Sequence, residues 1–281
     1  MTAELLLRSD AGVGREPCYD ARSGELSWVD QARSVWHRTS LADGTDIATP
    51  VDRWLGSVVP RQGGGFAAAV DDGLATFAAG SNTPELVIRE LPRASERMVG
   101  ARCDARGRLW ASSATVGFGT GCGTLRRWDG GQQCELVRED LTLPAGVAWS
   151  PDNLFCYVLD AAAGRLFVSV FDLDEGQPSH PRLLVQFGPT DGQANALCVD
   201  SAGCLWVALA GPGELGRYAQ DGRELDRYRL PVRHPSGCAF GPGRTLLVTS
   251  TRLDRDPEPL AGSVFVLDAG VDGLPSTDFS G

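Results

Sequence analysis

The sequence predicts an all-β fold: a six-bladed β-propeller with four-stranded antiparallel blades around a central channel. Three observations predict it. A unit of apolar strand, tight polar turn and apolar strand recurs six times. The copies lie about 40–50 residues apart, which leaves room for two more strands in each repeat. No long amphipathic helical pattern competes with this reading. The repeat spans nearly the whole chain of 281 residues, so residues 1–281 are expected to form one domain.

The clearest copy is ANALCVDSAGCLWVALA, Ala194 to Ala210. Short apolar runs bounded by turn residues read as buried strands. Asp200 can bond its own backbone, and Gly203 is free to take positive φ. The other copies are REPCYDARSGELSWVD from Arg15, LGSVVPRQGGGFAAAV from Leu55, VGARCDARGRLWA from Val99, AGVAWSPDNLFCYVLD from Ala145 and SGCAFGPGRTLLVTS from Ser236. Their turns open at Asp20, Pro60, Asp104, Ser150 and Gly241.

In chain order, ELLLRS near the start reads as an outer strand that completes the last blade and closes the ring. Blade one runs through WHRTS, and residues 41–54 hold a polar segment and then PVDRW. Blade two has a Gly-rich turn, Gln62 to Gly65, and then DDGLATF. The segment SSATVGFGTGCG at 112–123 reads as a mobile loop, since no strand-to-helix context makes it a phosphate cradle. Outer strands of later blades are visible in GTLRRWDG, CELVRED, RLFVSVFD, RLLVQFG, ELGRYAQDG, ELDRYRL and SVFVLD. The Asp254, Arg255, Asp256, Glu258 run reads as a solvated loop, and the tail after Asp268 as loosely held.

A net charge of −10 argues against nucleic acid and anionic membrane surfaces as partners. All 26 basic residues are arginine, so lysine Schiff-base and lysine general-base chemistry is excluded. The N-terminus lacks a basic region and an adequate apolar core, and no run reaches transmembrane length; a cytoplasmic location is expected. The eight cysteines form no CxxC pair and read as reduced, buried small hydrophobes.

Propellers place ligand sites where the innermost strands begin. Counting five residues back from each turn gives Arg15, Leu55, Val99, Ala145, Asn195 and Ser236. Just before them stand Arg53, Trp54, Arg97, Met98, Pro144 and His234. Together they describe a concave apolar cup with polar anchors, suited to a small molecule. Its arginines favour oxyanions, and Trp54 and Met98 favour a flat or lipophilic body. Arg15 could instead pair with Glu16, Asp30 or Asp160 and plug the channel. Asp30, Asp72 and Asp160 end second strands and suit turn capping. Ser236 and His234 lack the orienting acid and oxyanion donors of a triad.

The stretches GxxPxYD…WVD (Gly14, Pro17, Tyr19, Asp20, Trp28 to Asp30), AGVAWSPD at 145–152, ANALCVDSAGCLWVA at 194–208, SGCAF at 236–240 and DPE at 256–258 are similar to the gluconolactonase and regucalcin (senescence marker protein) family, which includes luciferin-regenerating enzymes. The resemblance implies a divalent metal held in the channel by a Glu, two Asn and an Asp. The Glu of its G-E-x-P motif falls on Arg15, the Asn of N-G-x-x-W-S on Ala145, and the Asp of P-D-G-x-x-x-D on Asn195. The third-blade Asn-Asp pair falls on Val99 and Gly100, and the substrate-contacting arginine before it on Arg97. A hard dication needs oxygen ligands, and Arg15 repels it at short range. A one-residue slip could present Glu16, but strand alternation points it to the other face. No bound metal and no other cofactor are therefore expected.

The expected function is a metal-independent enzyme on a lactonase-like scaffold, acting on a lipophilic small molecule, with or without an anionic group, by cyclisation, lyase or hydrolase chemistry. Arg97 and Asn195 would stabilise developing negative charge, with His234 or Glu16 as proton shuttle. Arg15, Arg53, Trp54, Met98, Val99, Ala145 and Ser236 would bind substrate. The alternatives are a non-catalytic binding propeller, and a lactonase whose metal has moved to carboxylates such as Asp30 or Asp160.

Overall fold

The structure is a computed structural model that describes residues 2–89, 95–253 and 258–281. It contains six antiparallel four-stranded sheets. Blade one is β2 (Gly14–Asp20), β3 (Glu25–Asp30), β4 (Val35–Ser40) and β5 (Asp46–Pro50). Blade two is β6 (Leu55–Pro60), β7 (Phe66–Val70), β8 (Gly73–Phe77) and β9 (Glu85–Arg89). Blade three is β10 (Glu96–Cys103), β11 (Leu109–Thr115), β12 (Gly123–Trp128) and β13 (Glu135–Leu141). Blade four is β14 (Pro144–Trp149), β15 (Phe155–Asp160), β16 (Arg165–Asp172) and β17 (Gln177–Gln186). Blade five is β18 (Gln193–Val199), β19 (Leu205–Ala210), β20 (Glu214–Tyr218) and β21 (Glu224–Arg229). Blade six is β22 (Pro235–Phe240), β23 (Thr245–Ser250) and β24 (Val264–Asp268), completed by the N-terminal β1 (Glu4–Leu7). Among the described residues no helix is long and apolar enough to cross a membrane.

The first two strands of each blade are buried because both faces meet neighbouring blades; β6, β19 and β22 are buried along their whole length. The core therefore lies between blades. Trp36 packs edge-on to Phe66 between blades one and two, Trp110 to Trp149 between three and four, and Trp206 to Phe240 between five and six. The turn aspartates do more than shape turns. Asp104 and Asp200 accept the indole N–H of Trp110 and Trp206, each at 3.0 Å, and are wholly buried. Fourth strands are mostly exposed and polar, so β5 was hidden in the polar segment 41–54.

Two expectations about connections change. The tail is not loosely held. It is tied under blades five and six by Ser201 N–H to the Asp272 carbonyl and Gly273 N–H to the Gly243 carbonyl, both 2.9 Å. It then crosses to blades two and three, where Phe279 is wholly buried and stacked on Trp128 at 4.6 Å. The Phe279 amide donates to Pro60 and its carbonyl accepts from Gln62. The apolar anchor near the chain end outweighs the polar composition around it. The glycine-rich stretch 112–123 is partly strand, since β11 runs to Thr115 and β12 starts at Gly123. Of the acidic run, only Glu258 lies within the described residues, and it accepts the Arg233 amide at 2.8 Å.

The cysteines are all free. Cys18, Cys156 and Cys238 are buried, but Cys122 is exposed on the 116–122 loop, so the core reading holds for only part of the set.

Candidate functional site at the channel mouth

All six innermost strands carry a β-bulge near their start, and in blades two to six it is a single extra residue. The extra residues are Gly56, Val99, Ala145, Asn195 and Ser236. A bulge leaves one residue unpaired and re-aims side chains, which is why these positions face the channel mouth. Four of them are the positions expected from the repeat. Blade two is shifted by one. Pro60 pairs with Phe66 inside the hairpin and the turn opens at Arg61, so Gly56 takes the mouth position while Leu55 is wholly buried core.

In blade one the bulge falls between Arg15 and Cys18. Arg15 pairs with Val29 in the ladder, and Glu16 takes a left-handed conformation, φ 52°. That conformation overturns the alternation argument that turned Glu16 away. The Glu16 carboxylate lines a narrow cavity in the channel with Gly100, Arg102, Ala145, Ala196 and Gly237. A Cβ on Gly100 would lie 2.9 Å from Glu16 Oε1, so the absence of a side chain there admits the carboxylate.

Glu16 pairs with Arg102 at 3.0 Å, and Arg102 also donates to the Pro17 carbonyl at 3.0 Å. Burial raises the Glu16 carboxyl above its usual range, against the pull of Arg102 and Arg15. Burial is the largest single effect on Arg102 and lowers its pKa, but Glu16 together with Cys18, Cys238 and Cys198 raises it on balance. Arg15 pairs with neither Asp30 nor Asp160. Its guanidinium crosses the mouth to donate to the Asn195 carbonyl at 2.5 Å, while its Nε is buried without a partner. Burial lowers its pKa, partly offset by Glu16.

The remaining expected residues divide. Asn195 is half-buried and its amide reaches the Pro235 carbonyl at 3.4 Å. Ala145 and half-buried Val99 present methyl groups. Ser236 Oγ donates to the Gly14 carbonyl and is buried, which ties blade six to blade one. Arg97 lies over the Trp54 ring, 4.0 Å from its centroid, and the Trp54 indole N–H donates to the Met98 carbonyl at 2.8 Å. Met98 is not in a cup; it is wholly buried between blades two and three. Arg53 is held by Asp71 at 2.9 Å and Asp72 at 3.4 Å. His234 is half-buried at the start of blade six, where its carbonyl accepts the Thr251 amide.

Two residues were not singled out from the sequence. Arg102 stands at the register of Cys198, two positions before the turn aspartate; an arginine at an inward position was a readable signal. Gln31 is buried, and its amide donates to the Gly56 carbonyl at 2.6 Å and the Val99 carbonyl at 2.8 Å, fixing two bulges. Nothing in its local sequence marks this.

The residues present do not fit the divalent metal that the resemblance implies. At the mouth a guanidinium and two aliphatic side chains stand in for ligands, and the one carboxylate is bound to Arg102. Asp30 accepts the backbone N–H groups of Gly12, Val13 and Ala32, and Asp160 those of Thr142 and Leu143. Among the described residues no group of three His, Cys, Asp or Glu is placed to hold a metal.

The family model described as "SMP-30/Gluconolactonase/LRE-like region" matches residues 13–252. A 6-deoxy-6-sulfogluconolactonase of Pseudomonas putida is 31% identical over 290 residues, spanning 100% of this chain and 99% of the relative. A regucalcin of Danio rerio is 26% identical over 292 residues, spanning 99% of this chain and 98% of the relative. Among solved structures, a regucalcin from Agrobacterium tumefaciens superposes with a TM-score of 0.91 at 24% identity, covering 98% of this chain and 96% of the other. A luciferin-regenerating enzyme also gives 0.91, at 22% identity and 99% coverage of both chains. The chain therefore belongs to the SMP-30/gluconolactonase/LRE-like family.

Proposed function

We propose that this protein hydrolyses the lactone of a small, anionic sugar-acid-like substrate at the channel mouth, without a divalent metal. The observation that carries this reading is Arg15. It stands at the family's glutamate position, spans the mouth, and keeps a buried Nε–H without a partner. A guanidinium there is a fixed positive charge facing the developing oxyanion, the task a metal performs in electrophilic catalysis.

In the proposed reaction, a water oxygen attacks the lactone carbonyl carbon and its proton passes to the Glu16 carboxylate. Arg15 and the Asn195 amide stabilise the tetrahedral oxyanion. The ring C–O bond then breaks, and the departing ring oxygen takes the proton back from Glu16, giving a hydroxy acid. Glu16 is favoured over His234 as the shuttle because it lines the channel cavity and its carboxyl is raised toward the working range of a base. Arg97, braced on Trp54, serves as the anchor for the substrate's anionic group. The Pseudomonas putida relative is a 6-deoxy-6-sulfogluconolactonase, and a sulfonated sugar lactone is anionic, which supports an anionic substrate here.

The test is proton release from 6-deoxy-6-sulfogluconolactone and from uncharged gluconolactone, using chelator-treated protein. Turnover above the spontaneous rate should persist in EDTA. Arg15→Gln should lower kcat/KM by about 10²–10³-fold. Arg97→Ala should raise KM for the sulfonated lactone and not for the neutral one. Loss of activity in EDTA with recovery on adding Mn²⁺ would overturn metal independence. The Glu16–Arg102 pair favours a second reading, a binding protein, because the carboxylate is already engaged. Tight lactone binding without turnover would establish that reading instead.

A further inference from the structure

The opposite end of the channel holds a second chamber, open to solvent, with a cavity volume of about 230 Å³. Its walls are the far ends of the innermost strands, and the strap segment Leu274 to Thr277 crosses it. An apolar cavity of about 150 Å³ takes up benzene, so a chamber of this size admits a compact ring-sized ligand. Most of its wall is apolar or sulfur-bearing: Val59, Val147, Phe240 and Leu274, with Cys18, Cys103, Cys198 and Cys238. Among the described residues, Arg102 is the only charged one that lines it.

Charge indicates what such a chamber takes. Among the described residues, the channel interior carries two buried guanidinium groups, Arg15 and Arg102, against one buried carboxylate, Glu16. One further negative charge restores balance.

We propose that this chamber is a second small-molecule site, separate from the channel mouth, that takes a compact apolar monocarboxylate. The carboxylate meets Arg102, and the apolar body lies among Val59, Phe240 and Leu274. Arg102 joins the two ends of the channel, since the same guanidinium holds Glu16. An anion on its lower side competes for that charge, so occupancy alters turnover without occupying the substrate site.

The test uses benzoate as probe, with benzylamine of similar shape and opposite charge, and calorimetry on the full chain. Benzoate should bind saturably with one site per chain while benzylamine does not bind, and Trp fluorescence should change with it. Ala239, in the chamber wall and outside the lactone site, supplies the blocking variant. Ala239→Phe should weaken benzoate by about tenfold or more and leave lactone turnover unchanged. Should that variant not fold, alkylation of the wild-type protein by N-ethylmaleimide serves. Benzoate should protect Cys103 and Cys198, while the exposed Cys122 reacts at the same rate. Equal binding of benzylamine, unchanged benzoate affinity in Ala239→Phe, or benzoate acting as a simple competitor of the lactone would each overturn the proposal. Because it needs only binding, its failure is distinct from failure of the lactonase reading.

Discussion

Arg15 and Glu16 are sequence neighbours that reach the channel by different routes. Arg15 does so along the strand, Glu16 through a left-handed turn of the backbone. That arrangement makes Glu16 the group whose charge controls the site. Burial raises its carboxyl, so the charged form costs more in the folded state than in the unfolded chain. The stability it supports is fully present below its usual carboxylate value and is lost as pH rises through the higher folded value. In urea melts across that window, wild type should lose stability with rising pH relative to Glu16→Gln. Activity has the opposite sign, because the base must be ionised: the acid limb of kcat/KM should lie above the usual carboxylate range, and Glu16→Gln should remove it with most of the activity. A limb at the ordinary carboxylate position would mean that Glu16 is not the proton acceptor. Asp200 shows a residue-scale role of another kind. It is wholly buried and accepts from the Ala202 and Cys204 amides, the Trp206 indole and Arg217. Asp200→Ala leaves those donors unmet and should cost about 3 kcal/mol in denaturant melts, with Asn recovering part of it.

At the scale of elements, the innermost strand is both the clearest feature in the sequence and the place where reading it fails. The apolar hairpin with its aspartate turn and tryptophan locates six strands correctly because burial on two faces leaves little choice of residue. A bulge leaves no such mark. It is a backbone event, so Gly56 could replace Leu55 at the mouth, and Glu16 could turn inward against strict alternation. Arg102 was legible in principle, as an arginine among small apolar residues at one register; Gln31 was not, because its partners are carbonyls of two other blades. The tail misleads for a related reason. Composition over its last residues is polar, yet one side chain, Phe279, carries its attachment. Phe279→Ala should cost about 3 kcal/mol, as for other buried aromatic truncations. It should also free the strap, so limited proteolysis of the variant should cut between Gly273 and Phe279 while wild type resists. Equal resistance would mean that the amide bonds to Asp272 and Gly273 hold the strap unaided.

At the scale of the whole molecule, a ring of blades must be closed against opening between its first and last members. This chain closes it twice, by different geometry. β1 adds to β24 along the rim, joining the N-terminus to blade six. The strap crosses beneath the channel, joining blades five and six to blades two and three. Removing residues 2–8 exposes the edge of β24 and uncovers Leu6 and Leu7 contacts with Leu26, Trp28 and Val264. It should lower Tm by about 5–10 °C and raise the tendency to associate through that edge. The two closures act on the same opening motion, so they should not add independently. With one in place, the blades it spans stay in register and limit the damage from loss of the other. Combining the deletion with Phe279→Ala should therefore lower stability by more than the sum of the two single effects. The four melting curves of that cycle measure the coupling directly. A sum that adds within error would show that each closure secures only its own blades, and that the ring is held chiefly by the aromatic packing between neighbours.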